Sequence, residues 1–242
     1  MWHLRTKTLL LCAALLVLYN DWLLEPLFNP RISARYSLIS ELSARTQPYH
    51  WAFQTLDILT GVVTILLLPW LWQFLRKLKL PYAPLLFIAV ISIGADNIVD
   101  ALLPISCAPT VDTQCNLLAT HSILTEAHLI ESTAIGIVTF VAPLLWWWSC
   151  RGTKQQLLAR ASLWFAGLQV FVGSGIVLSR ALDYNVTGAF QRVYELGISL
   201  WVVGILYAAI AATAKERTRT VTLRPPTTEP IPVPMLAISY DD

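Results

Sequence analysis

The sequence has few charged residues for its length. They make up 13% of the 242 residues, against about 25% in a typical soluble domain, and this excludes an ordinary soluble globular protein. Hydrophobic residues make up 56% of the chain. The formal net charge of +2 is spread along the whole sequence, so no nucleic-acid partner is expected.

A signal-peptide cleavage site is also lacking. The first apolar stretch follows Arg5 and Lys7, as in a secretory signal, but Asn20, Asp21 and Trp22 come after it. Signal cleavage requires small residues at that position. We therefore expect the first apolar stretch to remain in the protein as a membrane helix.

Six apolar stretches are each long enough to cross a bilayer. A helix rises about 1.5 Å per residue, so about 20 apolar residues span a hydrocarbon core of about 30 Å. The predicted spans are residues 9–27, 53–75, 84–103, 123–148, 157–179 and 193–214. They leave no room for a soluble catalytic domain. The proline-rich remainder, residues 215–242, is expected to be a disordered cytoplasmic tail.

Basic residues alternate between the connections and predict the orientation. Twelve of the 17 Lys and Arg residues fall on one side of the six spans and five on the other. Short connections rich in Lys and Arg remain cytoplasmic. The sequence therefore predicts an all-α, polytopic integral membrane protein, a bundle of six transmembrane helices with both termini in the cytoplasm. We expect it in the cell membrane, as a multi-pass protein.

Two of the four cysteines lie close together in a predicted outer loop. Cys107 and Cys115 are separated by seven residues between the third and fourth spans. An oxidising exterior favours a disulfide bond between them. Two free thiols or a metal-binding pair remain the alternatives, although one such pair alone is a weak zinc pattern.

Polar and ionisable residues inside the spans concentrate in the predicted outer half of the membrane. A charge in hydrocarbon costs at least about 2.5–3.5 kcal/mol, so residues at one depth on different helices should share an interior pocket. On the fourth span, His128 and Ser132 are four residues apart and share a helical face. The expected pocket residues are Asp57, Asp96, Asp100, His121, His128, Glu131, Ser132, Arg192 and Glu195.

This polar group has two interpretations. It is either an inert network that holds the helices together, or a functional site. The catalytic candidates are Asp96, His128 and Glu131, whose side chains suit acid–base chemistry and are also zinc ligands. No His-Glu-x2-His signature is present, so no cofactor is predicted, and zinc at these three residues stays an alternative.

A short motif before the second span resembles that of a known family. Ser40, Glu41, Leu42 and Ala44, with Ser43 at a position that is usually glycine, are followed by Pro48. This pattern is similar to a bacterial membrane family catalogued as domain of unknown function 998. The resemblance implies a six-helix bundle. The layout is distantly similar to DRAM-like and GPI-lipid-remodelling membrane proteins, which implies an association with lipid.

Together these observations favour a membrane protein whose extracytoplasmic pocket binds a lipid or another amphiphile. Membrane lipids are the expected partners, and the sequence leaves protein partners open. A membrane-embedded lipid hydrolase or transferase, with or without a metal, is one alternative. A proton-coupled transporter of small molecules is another. Whether the protein is an enzyme is left open by the sequence.

Overall fold

The computed structural model describes residues 2–115, 123–153, 155–182 and 184–222, in which every regular element is a helix. Short 3-10 turns at Asp21–Leu24 and Ile39–Glu41 flank the helix α2. The α-helices are α1 (Trp2–Tyr19), α2 (Glu25–Phe28), α3 (His50–Leu78), α4 (Ala83–Leu102), α5 (Ile123–Cys150), α6 (Gln156–Ala181) and α7 (Thr187–Thr222).

Five of these helices, α3 to α7, are long and apolar enough to cross a membrane. A sixth span exists if the bent pair Thr6–Tyr19 and Asp21–Phe28 counts as one. The predicted all-α membrane bundle is therefore confirmed. The protein is a helical integral membrane protein.

The first predicted span, residues 9–27, is not one continuous helix. The chain bends by 67° between Tyr19 and Asp21. Asn20 leaves helical geometry, and its side chain donates hydrogen bonds to the Leu16 carbonyl (2.8 Å) and to the Ser199 hydroxyl (2.9 Å). A side chain that binds backbone in this way competes with the helix and favours a turn.

The last helix also differs from its prediction. It begins at Thr187 and continues to Thr222. The span was predicted to end at residue 214 and the tail to start at residue 215. The added segment includes lysine, glutamate and arginine, which favour helix. Residues 223–242, the rest of the predicted tail, lie outside the described residues.

Helices that follow one another along the chain pack side by side from α3 to α7, and α1 packs against α3 and α7. The main core fills the bundle around Trp146, which is fully buried. Its indole stacks on Phe74 with ring centroids 6.4 Å apart and meets Trp201 edge-on at 6.5 Å. The part of the bundle around these three rings is therefore filled by apolar side chains.

Helices α3 and α4 approach each other closely because glycine lies on both. A Cβ added at Gly94 would be 2.9 Å from the Thr64 methyl, and one at Gly61 would collide with Gly94 and Ile98. Small residues at such crossings let membrane helices pack tightly. The same two helices carry Asp57 and Asp96, and both of these side chains line the cavity described below.

Candidate functional site

A disulfide bond joins Cys107 and Cys115, with their Cα atoms 5.8 Å apart. The predicted pairing is thus confirmed. We call the end of the bundle that carries this bond the disulfide end. A small second core lies there, formed by Ile32, Leu42, Ala44, Phe53, Ile105 and Ala108.

The motif residue Glu41 connects two segments of the chain. One is residues 37–44, here called the motif segment, and the other is the loop closed by the Cys107–Cys115 bond, here called the disulfide loop. The Glu41 carboxylate is buried and accepts hydrogen bonds from the Leu38 amide (2.9 Å) and from the Thr110 amide (3.0 Å) and hydroxyl (2.5 Å). The two bonds from Thr110 hold the two segments together, and the bond from Leu38 lies within the motif segment. Ser40 and Leu42 of the same motif face the cavity described below, while Ala44 is buried in the small core.

Arg192 does not line that cavity, although the sequence placed it there. Its guanidinium forms a buried ion pair with Glu25 and donates to the carbonyls of Ser37 (2.8 Å) and Gly188 (3.1 Å). Arg192 makes these contacts because it lies in the first turns of α7, beside the segment that follows α1. Arg192 therefore anchors the motif segment through the Ser37 carbonyl.

A cavity of about 1120 Å³ lies beneath the motif segment, between the helices. The phenol of Tyr194, on its wall, lies 2.5 Å from the Thr139 hydroxyl. Among the described lining residues, the only basic side chains are His128 and Arg180. The carboxyl side chains in the wall are Asp21, Asp57, Asp96, Asp100, Glu131 and Glu195. The cavity is therefore strongly acidic.

The polar wall is concentrated where α4 faces α5. Nδ1 of His128 lies 2.9 Å from Oδ1 of Asp100. Glu131 offers a carboxylate oxygen within 4.8 Å of both neighbouring donor atoms, and Asp96 forms a carboxyl–carboxyl contact with Glu131. Of the two aspartates on α4, Asp100 lies beside His128 because it is one helical turn nearer the disulfide end, and the catalytic candidate Asp96 lies against Glu131.

The other end of the cavity reaches the outside of the bundle. Leu129 of α5 and Val177 of α6 line the cavity, yet they are 62% and 66% exposed. Gly136 and Gly173 lie in the same wall, and a Cβ at Gly173 would meet nothing within 4 Å. The cavity therefore opens sideways between α5 and α6, towards the surface that a membrane helix turns to lipid.

The remaining predicted site residues have different outcomes. Asp57, Ser132 and Glu195 line the cavity, whereas His121 lies outside the described residues. Sequence reasoning missed the buried carboxyl groups Asp21 and Glu25. Both were visible as acidic residues within the predicted span 9–27, four residues apart.

The family model described as "Protein of unknown function (DUF998)" matches residues 10–208. The chain belongs to this family. The match runs from α1 into α7, so it includes the motif segment and every cavity carboxyl group named above, and the predicted family is confirmed. No curated protein and no solved structure matches this DUF998 member.

Proposed function

We propose that this DUF998 protein binds a lipid or another single amphiphile in its cavity. The observation that carries the proposal is that one cavity has an acidic inner wall and an apolar opening on the lipid-facing surface between α5 and α6. An amphiphile has the same division between a polar head and an apolar chain.

The size of the cavity supports this function. Sites for drug-sized ligands occupy about 300–1,000 Å³, and this cavity has about 1120 Å³. An apolar chain would contact residues such as Phe140 and Val170, while the head group would face the carboxyl groups and His128.

We also propose that the disulfide end faces away from the cytoplasm. A disulfide persists in an oxidising compartment, and the basic connections between spans concentrate at the opposite end. The ligand would then occupy the outer leaflet, and the motif segment would separate it from the aqueous exterior.

The test uses the full chain purified in mild detergent, with retained lipids extracted and identified by mass spectrometry. In Gly173→Leu the new side chain fills the opening, and we expect retained amphiphile to fall about tenfold, equivalent to about 1.4 kcal/mol. Gly167→Leu is the matched control, because Gly167 lies on the same helix, also has open space at its Cβ, and does not line the cavity.

Two results would contradict the proposal. One is wild-type protein that retains no amphiphile above the level of an unrelated membrane protein prepared in the same detergent. The other is equal retention by Gly173→Leu and Gly167→Leu, which would show that the opening is not used.

A further inference from the structure

Three different side chains place potential metal ligands around one point of the cavity wall. Asp100 comes from α4, and His128 and Glu131 come from α5. One donor atom from each lies within 4.8 Å of the other two. Imidazole nitrogen and carboxylate oxygen are both common zinc ligands.

Two of these side chains contain buried polar atoms that make no hydrogen bond within the part of the chain that the structure describes. They are Nδ1 of His128, which does lie 2.9 Å from Oδ1 of Asp100, and Oε1 of Glu131. A buried polar atom without a hydrogen bond is destabilising. Both residues belong to the same three-residue group, so one cation held by that group would offset this cost.

The helical register explains why the donors meet. Asp96 and Asp100 are four residues apart on α4, and His128 and Glu131 are three apart on α5, so each pair lies on one helical face. The two faces meet as two levels: Asp100 contacts His128, and Asp96 contacts Glu131 one turn deeper. A bound dication would also offset the repulsion between these carboxylates.

We propose that Asp100, His128 and Glu131 bind one divalent transition-metal ion, with zinc as the expected ion. Asp96 would hold Glu131 in place from the deeper level. Three protein ligands leave one position of a tetrahedral ion free, as in zinc sites that bind water or substrate. All three residues line the cavity, so this free position would face the bound ligand.

The experiment measures zinc in the full chain, purified through an affinity tag without histidine and in buffers without chelator. After loading with zinc and removal of excess, we expect about one zinc per chain by elemental analysis. His128→Gln and Glu131→Gln each lose one donor. We expect their zinc affinity to fall by at least the roughly 10–100-fold that loss of an outer-shell partner costs.

Glu126→Gln is the matched control, since Glu126 lies on the same helix, is exposed and is not among the three donors. Its zinc content should equal that of the wild type. Cobalt loading supplies a second measurement, because the visible absorption spectrum of a bound Co(II) ion depends on its ligands and geometry and should therefore change in His128→Gln. Wild-type protein that holds no zinc after loading would overturn the site.

A second result would also overturn it. If Asp57→Asn, which changes a carboxyl group elsewhere in the cavity, lowered zinc affinity as much as His128→Gln, the acidic cavity would be attracting cations without a defined site. The metal measurement needs no lipid, and the lipid measurement with Gly173→Leu needs no metal. Failure of one proposal is therefore distinguishable from failure of the other.

Discussion

Arg192 lies at the point where α7 meets the segment that follows α1. It is only 5% exposed and pairs with Glu25, which is 3% exposed. Its guanidinium also lies 5.9 Å from the Trp22 ring and binds two backbone carbonyls. The contacts of Arg192 with Glu25 and Ser37 therefore link parts of the chain that are far apart in sequence.

Removal of one member of this pair should be strongly destabilising. In Arg192→Met the Glu25 carboxylate stays buried without its partner, and we expect the free energy of unfolding to fall by about 3–5 kcal/mol. The measurement is chemical unfolding in one fixed detergent. Arg180→Met, at an exposed arginine, should change the stability by no more than about 0.5 kcal/mol.

The double variant Arg192→Met with Glu25→Gln gives a sharper comparison. Both charges are then absent, so its loss of stability should be smaller than the sum of the two single losses. Strict additivity would mean that the two side chains act independently, against the contact in the structure.

The residue scale also shows the limits of sequence reasoning. The cost of charge in a membrane predicts that Asp57, Asp96 and Arg192 face the interior, and in the structure the first two line the cavity and Arg192 is buried. This cost does not predict the partner of Arg192, because that partner depends on the bend at Asn20. That bend brings Glu25, rather than a cavity ligand, to Arg192.

At the scale of elements, the motif segment is held from two sides. Glu41 binds it to the disulfide loop, and Gln191 of α7 accepts a 2.8 Å hydrogen bond from the Ile39 amide. The Ser37 hydroxyl adds a 2.6 Å contact with the hydroxyl of Thr110. Within the family motif, Glu41 therefore has a structural role, whereas Ser40 and Leu42 face the cavity.

Replacement of Glu41 tests this structural role. A glutamine side chain at this position would keep one acceptor oxygen but turn an amide NH2 towards a backbone or hydroxyl donor. We expect Glu41→Gln to lower the free energy of unfolding by about 1.5–3 kcal/mol, the range for hydrogen bonds to a charged group. Unfolding in detergent, with the disulfide intact, measures the effect.

Ser40→Ala is the neighbouring control, since the Ser40 hydroxyl makes no hydrogen bond within the part of the chain that the structure describes. It should leave the stability nearly unchanged. Equal behaviour of the two variants would show that the contact between Glu41 and Thr110 contributes little.

The composition of the sequence predicts where a helix begins and ends better than it predicts a break within a helix. The predicted stretch 84–103 and the helix Ala83–Leu102 nearly coincide, since Tyr82 and Pro84 mark the start and Pro104 follows the end. The break after Tyr19 has no proline or glycine to signal it. Asn20 makes a local hydrogen bond to the Leu16 carbonyl and a tertiary one to Ser199 at this break, and no local pattern contains the second.

At the scale of the whole molecule, the distribution of basic residues predicts one orientation in the membrane. Reporter fusions at Lys79, Asp112 and Lys215 should read inside, outside and inside, because connections rich in Lys and Arg stay in the cytoplasm. A cytoplasmic reading at Asp112 would reverse the membrane orientation proposed for the cavity. Fusions at Lys79 and Lys215 serve as mutual controls, since six spans place both on one side.

The sideways opening between α5 and α6 has a consequence for how occupancy should be measured. A ligand that arrives through the hydrocarbon responds to its mole fraction in the bilayer, not to its concentration in water. Added lipid or detergent dilutes such a ligand and weakens its apparent affinity without any change at the protein. Each methylene favours partitioning by about 0.8 kcal/mol, so longer chains would raise aqueous potency even if every member of the series bound the cavity equally.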